Sequence, residues 1–199
     1  MSWIKVVEPD DADGKLKELY SQIQSPDGQI DNIMKVHSLR PRTLIAHLEL
    51  YKAAIHSKPN ALSPRVRQLV GVCVSLLNNC DSCVELHRAG LARHLNDEGL
   101  AQELTLAAVG EGDSENITPK ERAMCVYAAK LTQSPGGMTA GDLTPLREVG
   151  LDDAAILDLN QLVAYFAYAN RTVLGLGVNT TGEVLGLHPD ENEEGFRHK

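Results

Sequence analysis

Apolar residues recur along most of this chain at the spacing of amphipathic helices. Between residues 43 and 56 they fall three and four positions apart, which is the repeat of one helical face. No segment alternates apolar and polar residues at the period of a strand over a convincing length, and no βαβ pattern is present. The pattern therefore predicts an all-α fold, a single-domain bundle of about eight helices over residues 1–188 with a charged tail at 189–199.

Three helix starts are marked by capping residues. Ser63 precedes a proline at the first helical position, and the following helix is apolar nearly all round, so it is predicted to be central and buried. Thr118 and Glu121 form a capping-box pattern with a proline between them. Asp152 is predicted to cap a long apolar helix from 153 to about 174, which forms core or interface.

Composition narrows the function classes. The net charge of −8 argues against nucleic-acid binding, because an acidic surface repels phosphate backbones. No window reaches the roughly 18 uncharged apolar residues typical of a membrane helix. The first ten residues lack the sustained apolar core of a signal peptide. We therefore expect a cytoplasmic protein that binds neither nucleic acid nor membrane.

Two of the four cysteines stand with a histidine at helical spacing. Cys80, Cys83 and His87 occupy positions i, i+3 and i+7, which on a helix lie within a narrow arc of one face. The two thiols are then close enough to share a disulfide, and His87 lies one turn beyond Cys83. Asn78 or Asn79 is predicted to cap a helix that starts at Cys80. This layout indicates thiol redox chemistry.

A thiol attacks only as thiolate, and a free cysteine titrates near ~8.5, so one thiol must be activated. The helix N-terminus favours Cys80, which is nearer the helix start. The i+4 relation to His87 favours Cys83, and we give the specific proton acceptor more weight than the dipole. The second thiol can then condense with the oxidised first one to a disulfide, which an external dithiol reduces.

Other roles for the cysteines have weaker support. A zinc site would need further ligands, and although His94, His56 and His37 are available, none forms a second paired motif. A structural or inert pair is the remaining alternative. The other two cysteines, Cys73 and Cys125, sit inside apolar helical patterns and are predicted to be buried small hydrophobes.

The segment from Arg67 to Ala89 resembles the alkylhydroperoxidase D-like family, part of the carboxymuconolactone decarboxylase superfamily. It carries the Cys-x-x-Cys-x-x-x-His motif after a capped apolar helix. Segments 3–9, 32–41 and 165–171 look like flanking segments of the peroxidase-related branch, so the resemblance covers roughly residues 3–180. It implies an all-helical fold that assembles as dimers, trimers or hexamers.

The same resemblance implies a thiol peroxidase or disulfide reductase in which Cys83 attacks, Cys80 resolves and His87 belongs to the proton relay. Two positions depart from the family's motif. Gln68 stands where the family has a glutamate, twelve residues before the first cysteine, and Ser82 stands where a histidine often precedes the second. Neither residue accepts a proton as the family's residues do, so we expect weak peroxide turnover or a different substrate.

The expected partners are a small hydroperoxide or disulfide as substrate and an external dithiol as reductant. No cofactor other than the Cys80–Cys83 disulfide and no metal is expected. His37 is expected to cap or pack, with a place at the rim of the pocket as the alternative. Two further functions stay open: a non-catalytic redox sensor or binding module, and carboxymuconolactone decarboxylase chemistry. Three polar residues of the last helix are expected to tie helices together or to line an oligomer seam: Tyr165, Asn170 and Arg171.

Overall fold

The structure is a computed structural model that describes residues 2–25, 28–56 and 60–185. Within these ranges it contains nine α-helices and no strand, which confirms the all-α prediction. The helices are α1 (Gly14–Ile23), α2 (Asn32–Lys35), α3 (Pro41–Tyr51), α4 (Pro64–Leu77), α5 (Asp81–Leu95), α6 (Glu98–Ala108), α7 (Pro119–Gln133), α8 (Thr144–Glu148) and α9 (Asp153–Leu176).

Several boundaries differ from those that the apolar pattern predicts. The nine described α-helices agree with the prediction of about eight, but α2 and α8 are shorter than expected, with only four and five residues. The helix expected over 43–56 divides into α3 and a π-helical turn, Lys52–His56. The charged tail at 189–199 lies outside the described residues, and the domain boundary at 188 stays a prediction.

Helix α4 lies at the centre of the molecule and packs against α5, α6, α7 and α9. Its cap is the predicted one, since the Ser63 hydroxyl accepts a hydrogen bond from the Val66 backbone at 3.3 Å. Ten consecutive residues, 66–75, are buried, because neighbours cover the helix on all sides. Burial of each large apolar side chain contributes about 1.5–3 kcal/mol. Helix α4 is therefore the rigid element against which the other helices are positioned.

The last helix ends under the N-terminal segment. Gly177 follows α9 in the left-handed conformation, with φ of 62°. A Cβ atom at this position would overlap the Trp3 indole, so a glycine is required both for the turn and for the close approach. The Trp3 backbone N–H also donates to the Leu176 carbonyl at 2.8 Å. None of the described helices is long and apolar enough to cross a bilayer.

The N-termini of α4 and α7 are joined by a buried carboxylate. Glu121 closes the predicted capping box with Thr118, whose hydroxyl accepts from the Glu121 backbone N–H at 3.2 Å. The Glu121 carboxylate also accepts from Arg65 Nε at 2.7 Å. The Glu121 carboxylate thus accepts from the N-cap backbone of α7 and from an arginine in the first turn of α4.

We expect Thr118→Ala to lower the free energy of unfolding by about 0.5–2 kcal/mol, the usual cost of losing an N-cap hydroxyl. Urea unfolding followed by circular dichroism measures the change. Thr118→Ser keeps the hydroxyl and should retain most of the stability. If the alanine variant is as stable as the wild type, the capping box does not hold α7 as described.

Candidate redox site

The two cysteines of the motif stand at the junction of α4 and α5. The predicted asparagine cap is wrong: the N-cap is Cys80, and α5 begins at Asp81. Asn79 has φ of 55°, a left-handed conformation that an N-cap residue does not adopt. The Asn78 amide donates instead to Asn170 of α9 at 3.0 Å. The shift by one residue leaves both cysteines at the helix start.

Cys80 and Cys83 are joined by a disulfide, with Cα atoms 5.3 Å apart. They lie in a small apolar cluster with three valines, Val36, Val173 and Val178. The two sulfurs differ in access: Cys80 is 1% exposed and Cys83 is 7% exposed. Cys83 lines a cavity, whereas Cys80 is not among the lining residues. A substrate in this cavity therefore meets Cys83 first.

The position of Cys83 on α5 favours a negative charge on its sulfur. It is the third residue of the helix, where the backbone N–H groups of the first turn have no partner within the helix. Asp81 and Glu85, the carboxylates nearest in sequence, are both exposed. Glu85 also accepts a hydrogen bond from Thr180 at 3.3 Å. Water screens these two negative charges, so they offset the helix N-terminus only weakly.

His87 lies one turn beyond Cys83 and lines the same cavity. Its Nδ1 atom is 2.9 Å from Oε1 of Gln68 on α4. Since an amide oxygen only accepts, Nδ1 carries the ring proton and Nε2 keeps a lone pair that can take a proton. Sequence reasoning marked Gln68 as the relay position, and the structure brings it into direct contact with the imidazole.

The imidazole is held against α4 by its packing as well as by this bond. Its ring meets the Phe166 ring edge-on, with centroids 4.6 Å apart. A Cβ atom at Gly71 would lie 2.7 Å from Phe166 Cζ and 3.1 Å from His87 Cγ. Only a glycine permits both rings to approach the backbone of α4 so closely.

Burial lowers the pKa of His87 from 6.5 to about 4, because little water reaches the charged form. Gln68 carries no charge that offsets this effect. The ring is therefore neutral at pH 7, and it is a weaker base than an imidazole paired with a carboxylate. This is the physical consequence of a glutamine, rather than a carboxylate, beside Nδ1.

The cavity has a volume of about 70 Å³ and lies between α2, α5, α9 and the segment after α9. Much of its wall is apolar and includes Met34, Leu86 and Val173. Its polar lining includes Ser82 beside Cys83, together with the carboxylates of Asp31 and Glu183. Burial raises the pKa of Glu183 to about 7, and the nearby negative charge of Asp31 adds to this. Among the described residues, the lining includes neither lysine nor arginine.

The structure does not bring His37 to the cavity wall. Its ring nitrogens lie 3.2 Å from Thr43 Oγ1 and 3.0 Å from His47 Nδ1. His47 lies in turn 3.2 Å from the hydroxyl of Tyr165, which lines the cavity. Sequence reasoning missed His47, although a signal was present, since it falls on the apolar face of α3 between Leu44 and Tyr51.

The other polar residues of α9 have separate roles. Asn170 accepts from the Asn78 amide at 3.0 Å and donates to Ser75 at 3.2 Å, which ties α9 to α4 as expected. Arg171 donates to the Ala167 carbonyl of its own helix. Tyr165 reaches the cavity, a position that the sequence did not indicate.

The remaining cysteines are buried and free, as predicted. Cys73 donates to the Ala108 carbonyl at 3.4 Å, and its hydrogen bond with Cys125, together with burial, raises the pKa of Cys125 well above its ordinary value. Such thiols are unreactive. Across the described ranges, no group of three or more histidine, cysteine or acidic residues is placed to hold a metal ion.

Part of the chain is similar in sequence to a known protein family. The model of the carboxymuconolactone decarboxylase family matches residues 41–115, the segment that contains Gln68 and the Cys-x-x-Cys-x-x-x-His motif. No curated protein is similar enough in sequence to count as a relative.

Solved structures share the fold. One is the alkylhydroperoxidase AhpD core of an uncharacterized peroxidase-related protein from Ralstonia eutropha JMP134, with a TM-score of 0.77 and 24% identity over 88% of this chain and 90% of that one. A peroxidase-related protein from Silicibacter sp. TM1040 has a TM-score of 0.73 and 23% identity over 89% and 90%. The debrominase Bmp8 has a TM-score of 0.70 and 15% identity over 85% and 87%.

The fold and the site together define an all-α protein with a Cys-x-x-Cys disulfide and a histidine at a shared cavity. Residues 41–115 match the model of the carboxymuconolactone decarboxylase family, and the whole fold is shared with these solved structures.

We expect Gln68→Glu to raise the pKa of His87 above about 4, because a carboxylate beside Nδ1 stabilises the imidazolium. A titration of the His87 ring signals by nuclear magnetic resonance measures this pKa. Gln161→Glu adds the same charge at an exposed site on α9 and serves as the control. If both variants leave the pKa of His87 unchanged, Gln68 does not govern the protonation of the ring.

Proposed function

We propose that this protein is a thiol-dependent oxidoreductase that reduces a small hydroperoxide or disulfide with the Cys80–Cys83 pair. The observation that carries the proposal is the pairing of a disulfide and a neutral histidine at one cavity, with Cys83 as the sulfur exposed to it. The match of residues 41–115 to the carboxymuconolactone decarboxylase family and the fold shared with a peroxidase-related protein support such a role.

The first step uses the reduced pair. His87 takes the proton from the Cys83 thiol through Nε2, and the thiolate attacks the outer oxygen of a hydroperoxide. The O–O bond breaks and an S–O bond forms, so Cys83 is oxidised to a sulfenic acid and the peroxide is reduced to an alcohol. The proton held by His87 neutralises the departing alkoxide.

The second step closes the disulfide. The Cys80 thiol attacks the sulfur of the Cys83 sulfenic acid, an S–S bond forms, and water leaves with the thiol proton. An external dithiol then reduces the disulfide by exchange and is itself oxidised, which returns both cysteines to thiols. The buried position of Cys80, directly beside Cys83 and away from the cavity, suits this resolving role.

The weak basicity of His87 limits the rate at which the Cys83 thiolate forms. Because burial keeps the pKa of His87 near 4 and Gln68 supplies no compensating charge, the ring removes the Cys83 proton less readily than a carboxylate-paired imidazole does. We therefore propose a slow peroxidase, or an enzyme whose preferred substrate is a reactive disulfide.

The cell compartment and the assembly belong to the same proposal. A cytoplasmic location supplies the dithiol that regenerates the pair, because thiols are kept reduced there. A homo-oligomer, as a dimer, trimer or hexamer, is what the resemblance implies.

A redox sensor is the second candidate, favoured by the weak base and by the burial of both sulfurs. A sensor forms the same disulfide but does not turn over. Repeated consumption of peroxide with a dithiol present separates the two functions. Decarboxylase chemistry would be insensitive to thiol blocking, so the same assay after alkylation tests it.

We expect Cys83→Ser to abolish consumption of cumene hydroperoxide with dithiothreitol as reductant, because no cysteine thiol then faces the cavity. In the absence of dithiothreitol, Cys80→Ser should allow a single turnover and leave a sulfenic acid that dimedone traps. Loss of peroxide, followed by a colorimetric assay, and the mass of the dimedone adduct provide the measurements.

Cys125→Ala is the matched control, since it removes a buried thiol that contacts neither the disulfide nor the cavity. It should keep the wild-type rate. An unchanged rate for Cys83→Ser would show that the assigned nucleophile is wrong.

A further inference from the structure

A chain of hydrogen bonds runs from the surface of α3 to the cavity through two histidines that the proposed redox cycle does not use. Thr43 Oγ1 lies 3.2 Å from His37 Nδ1, His37 Nε2 lies 3.0 Å from His47 Nδ1, and His47 Nε2 lies 3.2 Å from the Tyr165 hydroxyl. His37 is partly exposed, whereas His47 and Tyr165 are buried.

The Thr43 end of this series of hydrogen bonds determines which atom donates and which accepts in each of them. The Thr43 hydroxyl donates its only proton to the Arg40 carbonyl at 2.8 Å, so its oxygen must accept from His37 Nδ1. Burial lowers the pKa of His37 and lowers that of His47 to about 3, so both rings are neutral and each carries one proton.

The direction then follows ring by ring. With its proton on Nδ1, His37 accepts at Nε2, and His47 must donate to it from its own Nδ1. His47 Nε2 therefore has no proton and accepts from the Tyr165 hydroxyl. The phenolic proton of Tyr165 points at His47, away from any molecule in the cavity.

The Tyr165 hydroxyl oxygen is thereby left as a hydrogen-bond acceptor towards the cavity. Its side chain lines the cavity that also holds Cys83 and His87. Among the described residues, His47 is the one hydrogen-bond partner of its hydroxyl, so the oxygen can accept one more hydrogen bond. Burial raises the pKa of Tyr165 well above its ordinary value, which keeps the hydroxyl protonated and bonded to His47.

We propose that Tyr165, oriented by His47 and His37, is a substrate-binding acceptor that selects neutral organic molecules bearing an O–H donor, such as an organic hydroperoxide and its alcohol product. This assignment rests on the proposed function, since it treats the cavity as the substrate site. The Asp31 and Glu183 carboxylates in the same lining, with no lysine or arginine among its described residues, disfavour anionic molecules. His47 and His37 act through Tyr165 and are positioning residues.

A matched pair of ligands tests the proposal without turnover. 2-Phenyl-2-propanol offers an O–H donor, and its methyl ether has nearly the same shape but only an accepting oxygen. Titration of the oxidised, full-length protein with each, followed by nuclear magnetic resonance, should show about three- to tenfold tighter binding of the alcohol, the range of one neutral hydrogen bond. 4-(2-Hydroxypropan-2-yl)benzoate, the carboxylate analogue, should bind more weakly than the neutral alcohol.

Three variants separate the acceptor role from a structural one. Tyr165→Phe should bring the ratio of the alcohol and ether affinities to about one. Tyr168→Phe makes the same change on a tyrosine that also packs on His47, and it should keep the wild-type ratio. His47→Phe frees the Tyr165 proton to turn towards the cavity, so ether binding should strengthen. Loss of folding does not produce such a gain.

The outcomes also distinguish the acceptor role of Tyr165 from the proposed peroxidase activity. Wild-type protein that binds neither ligand, or that binds both equally, overturns the acceptor assignment, as does a ratio unchanged in Tyr165→Phe. A clear preference for the alcohol in a protein that consumes no peroxide would support the acceptor assignment and reject the peroxidase.

Discussion

The hydrogen bond between Gln68 and His87 is the contact on which the chemistry of this site depends. It joins the central helix α4 to α5, and it settles which ring nitrogen can act as a base. Gly71 and Phe166 hold the ring in the same place by packing. A neutral amide at this point keeps the imidazole uncharged, so the site has the geometry of a thiol relay but a weak base within it.

The motif itself was predictable because its geometry is local. Side chains four residues apart on a helix lie on one face whatever the rest of the fold does, and Cys83 and His87 of α5 line one cavity here, while the N-cap Cys80 lies close enough to be joined to Cys83. The caps at Ser63 and Thr118 were predictable for the same reason, since each depends on residues within one turn.

What the sequence did not predict depends on contacts between distant segments. The asparagine cap before α5 is wrong because Asn170, from the last helix, takes the Asn78 side chain and leaves Asn79 to the turn. The contact of His47 with Tyr165 joins residues 118 positions apart, and no local pattern indicates which histidine reaches which tyrosine. Such long-range contacts shape the cavity, whereas the local spacing of the motif places the two cysteine sulfurs next to each other.

A count of free thiols before and after peroxide tests the central claim most directly. The protein is reduced, freed of reductant, treated with one equivalent of tert-butyl hydroperoxide and alkylated, and the four cysteines are mapped by mass spectrometry. The account predicts that Cys80 and Cys83 alone become protected as a bridge, and that dithiothreitol restores both. Four alkylated thiols after treatment, or a Cys83 sulfinic acid without any bridge to Cys80, would contradict it.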